Sequence, residues 1–78
     1  MNKEILAKVQ EIVRIELDNQ DLVVDYDTLT SEIEDWDSIS IIQILGALED
    51  HYSITFDTLD IQNWKNIGAL CQSIQNLI

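Results

Sequence analysis

Proline is absent from the 78 residues and glycine occurs only at Gly46 and Gly68, so almost nothing in the chain breaks a helix. The spacing of the apolar residues, 46% of the chain, then decides the local structure. Ile5, Leu6, Val9, Ile12, Val13 and Leu17 recur at the i, i+3, i+4, i+7 interval that lines one helix face, with Ile15 off that stripe. A second helix is expected to begin near Ser38, capped by Asp37 or Ser38, with an apolar series at Ile39, Ile42, Leu45, Leu48 and Tyr52. Ile41, Ile44 and Ala47 make this helix apolar on neighbouring faces, so it must touch something on more than one side. A short helical segment around Thr58 to Ile61, capped by Asp57 or Thr58, comes next. The last helix starts near Asn66, a favourable cap, and carries Ile67, Leu70, Cys71, Ile74, Leu77 and Ile78 on one seam. The expected class is all-α: a small four-helix bundle of three main helices and one short one. Residues 1–78 are expected to form a single domain, because a chain this short encloses one core.

Residues 18 to 37 break the pattern, with eight acids, no Lys or Arg, and scattered Leu22, Val23, Val24, Tyr26, Leu29 and Ile33. Val23 and Val24 would suit a strand, but no second run offers a partner. The segment is therefore expected to be a long acidic loop tacked to the core between the first and second helices, and loops of that length in compact domains are commonly functional. Over the whole chain fifteen acids face four bases, a net charge of −11 with His51 neutral. Nucleic-acid binding needs a basic patch that is missing here. The same charge would repel an anionic membrane leaflet, and no stretch approaches the roughly 20 apolar residues of a bilayer span. Residues 1 to 15 alternate charged and apolar positions, unlike the basic-then-apolar run of a secretory signal. A soluble, cytoplasmic monomer without nucleic-acid binding or membrane insertion is expected.

Several chemistries fail on spacing. Ser38 and His51 supply two members of a hydrolytic triad, but they stand 13 residues apart on one helix, roughly 20 Å and far beyond a hydrogen bond. His51 reads as an exposed residue near a helix C-terminus, where positive charge is favourable. Asp25-Tyr26-Asp27 and Asp35-Trp36-Asp37 imitate the opening of a calcium loop, yet neither is followed by the required Gly, and Trp36 and Gly46 stand where the bidentate Glu belongs. No metal site is expected. Cys71 is the only cysteine, which excludes an intramolecular disulfide, and its register with Ile67 and Ile74 makes it a buried small hydrophobe.

What remains is Asp37-Ser38-Ile39, at the junction between an acidic loop and an apolar helix. An Asp-Ser pair at such a place is usually a helix cap. Its context adds to that, because a serine at a helix start after a loop is open to an enzyme, and the negative charge around it attracts a basic one. Ala47-Leu48-Glu49-Asp50 follows at the far end of the same helix, then Tyr52, Ile54 and Phe56. Taken in order and spacing, these pieces resemble the acyl carrier proteins over essentially the whole chain, with Asp37-Ser38-Ile39 in place of the family's Asp-Ser-Leu. Glu34-Asp35-Trp36-Asp37-Ser38-Ile39 is similar to the Trp-Asp-Ser-Leu version of many specialised carriers.

The resemblance implies no catalysis by the chain itself. It implies a phosphopantetheine arm attached to Ser38 through a phosphodiester, flanked by Asp37 and Ile39, with acyl groups held as thioesters on the arm's thiol. It implies an apolar interior able to shelter a chain, assigned here to Ile42, Leu45, Leu48, Tyr52, Phe56 and Leu70. The implied partners are a phosphopantetheinyl transferase and acyl- or aminoacyl-activating and transferring enzymes with basic docking patches, meeting Asp35, Asp37, Ile41, Ile44, Glu49 and Asp50. Where the family often has acids and a larger side chain, this chain has Ser40, Gln43 and Gly46, which turns the expectation from general fatty-acid synthesis towards a dedicated pathway. Two alternatives stay open: an aminoacyl or peptidyl carrier, including a D-alanyl carrier, and an unmodified acidic helical module that binds a basic protein.

Overall fold

The computed structural model describes residues 3–78, and Met1 and Asn2 lie outside the described residues. Among the described residues, four helices, α1 (Lys3–Glu16), α2 (Ser38–Tyr52), α3 (Thr58–Gln62) and α4 (Ile67–Leu77), account for the regular structure, with one 3-10 turn at Thr30–Glu32. No strand occurs among the described residues. α1 packs on both α2 and α4, and α3 on α4. The all-α, four-helix class expected from the apolar spacing is the one observed.

Each helix starts or stops for a local reason. α1 buries Ile5, Val9, Ile12 and Val13 and leaves Ile15 61% exposed, as its place off the stripe predicts. It ends where Asp18 adopts φ 52°, with Asp18 N–H donating to the Ile15 carbonyl at 3.2 Å and Asn19 N–H to the Arg14 carbonyl at 2.9 Å. These are the paired bonds of a Schellman stop, made with Asp where Gly is usual. α2 closes on Ser53, whose φ of 56° turns the chain back while its N–H reaches the Glu49 carbonyl. Asp57 opens α3 through a capping box with Asp60.

The acidic segment between α1 and α2 is held down along its length. Val24 N–H donates to Gln10 Oε1 at 2.9 Å, and the Arg14 side chain donates to the Leu22 carbonyl. The partner that the sequence did not offer turns out to be the approach to α4: Leu29 forms an isolated antiparallel bridge with Asn66. Thr30 N–H donates to the Lys65 carbonyl at 3.0 Å, Ile67 N–H to the Thr28 carbonyl at 2.9 Å, and Gly68 N–H to the Tyr26 carbonyl at 2.8 Å. A helix leaves its first amide donors unpaired. In α4 the loop takes the first two, and the Asn66 side chain takes the third, Ala69 N–H, at 2.7 Å.

Two expectations about helix faces need correction. Ile42, an interior residue by the resemblance, is 66% exposed, whereas Ile44, a partner-facing residue by the resemblance, is fully buried, with Ile41 half-buried against the core. Ile41, Ile44, Leu45, Leu48 and Tyr52 share the inward side at i, i+3, i+4, i+7 and i+11, which turns Ile39, Ile42 and Gly46 outward. Apolar residues nearly encircle this helix, so hydrophobicity alone does not set its phase. In α4 the buried seam stops at Ile74, leaving Leu77 and Ile78 41% and 60% exposed, and it includes the polar Ser73.

Candidate functional site

Ser38 is the first residue of α2 and is exposed. The cap is Asp37, in extended backbone with its carboxylate accepting Ser40 N–H at 2.9 Å. The Ser40 hydroxyl reaches in the other direction and donates to the Asp35 carbonyl at 2.7 Å. Asp35 itself sits at φ 68°, a left-handed turn that brings the acidic segment sharply into the helix. Ser40 therefore braces Asp35 and Asp37 on the approach to Ser38, a role that the sequence did not reveal because a serine two residues into a helix has no distinctive pattern. The Ser40 amide, helped by the Ile39 amide, holds the Asp37 carboxyl below the usual carboxylate range.

The other candidate residues separate into distinct places. Ile39 is 70% exposed beside Ser38, and with Ile42 it forms an outward apolar stripe that continues to Gly46. No atom lies within 4 Å of where a Gly46 Cβ would stand. Asp35, Asp37 and Asp50 are exposed. Glu49, expected to face partners, is half-buried and its carboxylate accepts Phe56 N–H at 2.8 Å, which pins the turn after α2. Ile44 is fully buried in the core and Ile41 is half-buried against it, so neither stands on the outward side of α2. Of the interior set, Leu48, Phe56 and Leu70 are buried, Leu45 and Tyr52 pack against the core half-buried, and Ile42 is outside.

The remaining chemistry-bearing residues have structural explanations. Burial pushes the Cys71 thiol up to about 11, so it stays protonated and unreactive at neutral pH. His51 is exposed in the last turn of α2, edge to face with Tyr52 at 4.7 Å. With Lys8, Glu11, Glu16 and Asp50 it rims a groove of about 310 Å³ between α1 and α2, floored by Ile12, Ile15 and Ala47. That groove lies near the far end of α2 from Ser38. Asp25 forms a local turn, its carboxylate accepting Tyr26 N–H at 2.7 Å and its own N–H donating to Thr28 Oγ1 at 2.8 Å.

Comparison with known proteins places this geometry in context. The family model "Phosphopantetheine attachment site" matches residues 3–74. The chain is 31% identical over 77 aligned residues to an acyl carrier protein homolog of Mycoplasma genitalium, covering 96% of this chain and 89% of that protein. It is 32% identical over 75 residues to an acyl carrier protein of an Arthrobacter species, covering 96% and 93%. Among solved structures, the solution structure of holo acyl carrier protein from Geobacter metallireducens superposes with a TM-score of 0.84 at 31% identity, over 91% of this chain and 82% of that one.

Proposed function

The chain belongs to the acyl carrier protein family, whose members are carriers that work through a covalently attached phosphopantetheine, and from that premise we propose that Ser38 bears the arm. One observation carries this reading: Ser38 stands exposed at the head of α2, on a backbone fixed from both sides by Asp37 and Ser40. The residues present suit a phosphodiester there. The amide end of α2 carries partial positive charge that favours an anion, and the neighbouring Asp37 carboxylate is engaged by the Ser40 amide instead of crowding the hydroxyl. When bound, the arm supplies the terminal thiol on which cargo rides as a thioester. The chain's own part is to hold the attachment point rigid and to present it.

Family membership brings a phosphopantetheinyl transferase and acyl-handling enzymes as partners. The docking face in this reading is the outward side of α2: Ile39 and Ile42 at its centre, Asp35 and Asp37 at the head, and Asp50 at the far end. Partners that fit it offer an apolar centre rimmed by Lys or Arg, and complementary charge speeds their encounter more than it tightens the complex. Uncharged Ser40 and Gln43 make this face less acidic than a long run of carboxylates would be, which favours service to a dedicated set of enzymes handling acyl cargo.

The test is attachment itself. Because Asp37 caps α2 and Ser38 does not, Ser38→Ala keeps the helix start and should fold as the parent does. With coenzyme A and a promiscuous phosphopantetheinyl transferase, the parent should gain the mass of one arm and Ser38→Ala none. Equal labelling of the two would refute the assignment.

A further inference from the structure

A long hydrocarbon on a thioester is driven to find cover from water, and it finds cover either inside the carrier or on an enzyme. Three side chains, Trp64, Ser73 and Phe56, are buried against one another in the interior of this domain. Trp64 follows α3 and is 5% exposed. Its Nε1–H donates to Ser73 Oγ on α4 at 3.0 Å, and the Ser73 hydroxyl donates to the Ala69 carbonyl at 3.2 Å. The indole also meets the Phe56 ring edge to face, centroids 4.9 Å apart at 90°. Both aromatic residues are tied by their main chain as well. Phe56 N–H is held by the Glu49 carboxylate at 2.8 Å, and the Trp64 carbonyl accepts from Thr30 Oγ1 at 3.0 Å. Fully buried Ile44, Leu48 and Leu70 belong to the same core.

Ser73 is the informative member. A hydroxyl in the buried seam of a helix is unfavourable unless it is paired, and its pairing here is to the one polar atom of the indole. An alkyl chain entering this space would have to displace the ring, leaving the indole N–H buried without a partner and breaking the edge-to-face contact. We infer, on the basis of the carrier reading above, that Trp64, held by Ser73 and Phe56, keeps the interior shut to cargo and limits this carrier to compact thioesters, short acyl or aminoacyl groups that tolerate water. Leu48, Phe56 and Leu70 are then interior residues as the sequence predicts, but as packing and not as a shelter.

The experiment loads the parent, Trp64→Leu and Ser73→Ala with acetyl, butyryl, octanoyl and dodecanoyl phosphopantetheine from the matching acyl coenzymes A, which release adenosine 3′,5′-bisphosphate, using a promiscuous transferase and checking each load by intact mass. Thermal midpoint and the Trp64 indole N–H resonance, assigned against Trp36→Phe, are read for each. In the parent both should be the same for every chain length, while in Trp64→Leu the longer chains should raise the midpoint above that of the acetyl form. Ser73→Ala keeps the test decisive if Trp64→Leu does not fold, because it frees the indole without emptying the core. A parent midpoint that climbs with chain length, or an indole signal that moves with it, overturns the inference. Indifference to chain length in the parent and in every folded variant overturns the role of Trp64. Absence of any mass gain in the parent overturns the carrier reading instead, and the inference with it.

Discussion

Gly46 and Gly68 both lie within helices, and their surroundings give them opposite roles. Gly46 faces outward on α2 with nothing within 4 Å of a Cβ position, so a methyl there meets no obstacle and the glycine only adds freedom to the unfolded chain. Gly46→Ala should stabilise the domain by about 1 kcal/mol. A Cβ on Gly68 would stand 2.8 Å from the Tyr26 carbonyl oxygen, the acceptor of Gly68's own N–H, and 3.4 Å from Asn66 Oδ1, which caps Ala69. Relief requires moving the main chain that joins the acidic segment to α4, so Gly68→Ala should cost about 1–3 kcal/mol, the range for overpacking. Thermal melts of the two variants check the pair, and a lowered midpoint for Gly46→Ala or an unchanged one for Gly68→Ala would contradict it. In the sequence the two glycines look alike, since each interrupts an apolar helix. What separates them is a carbonyl in a distant loop.

At the level of elements, the end of α1 is the least favourable of the helix termini. Asp18 occupies the left-handed position that Gly fills without strain, and it sets a carboxylate against the negative end of the helix dipole. Asp18→Gly removes both penalties while keeping the bonds from residues 18 and 19 to Ile15 and Arg14. A gain of about 1 kcal/mol follows, which in a domain this size raises the melting temperature by about 4–8 °C. Asp18→Asn, which drops only the charge, should recover part of that rise, and a fall with Gly would contradict the assignment of strain. Elements whose signals are local were legible in advance: the Asp37, Asp57 and Asn66 starts, and the α1 face, where polar and apolar residues separate cleanly. The start of α2 at Asp37-Ser38 was legible for the same reason, as a cap followed by an apolar helix, whereas the role proposed for Ser38 came from the order of several motifs along the chain and not from the cap. The phase of α2 was not, because Ile39, Ile41, Ile42, Ile44 and Leu45 offer apolar candidates on nearly every side and only contact with α1 chooses among them. Nor were the pairing of residues 26–30 with the start of α4, the Ser40 brace, or the Trp64–Ser73 bond. Each joins residues by a hydrogen bond that no periodicity announces.

For the whole molecule, the dense negative charge works against the fold. Thirteen carboxylates lie between Arg14 and Lys65 with no Lys or Arg among them, and the domain that holds them measures only 28 × 25 × 20 Å. The few cations do little to offset this. Lys8 pairs with Glu11 at 2.9 Å, and the Arg14 Nε–H is given to the Leu22 carbonyl, outside the acid-rich stretch's carboxylates. At 0.01 M salt the screening length is about 30 Å, so every carboxylate senses every other, whereas at 0.1 M it is about 10 Å and only near neighbours interact. Folding brings these charges together and unfolding disperses them, so the repulsion falls mainly on the native state. The melting temperature should therefore rise with sodium chloride over that range, by about 4–8 °C for each 1 kcal/mol of repulsion relieved. Chloride is the right anion, since sulfate would strengthen apolar burial on its own. Lysine substitutions at exposed Asp21 and Asp27, remote in sequence from the Ser38 helix, should raise the midpoint at low salt and flatten its salt dependence together. A midpoint that stays level from low to moderate salt in the parent would mean that the acidic surface is already relaxed, and that its density of charge carries no energetic cost for this fold.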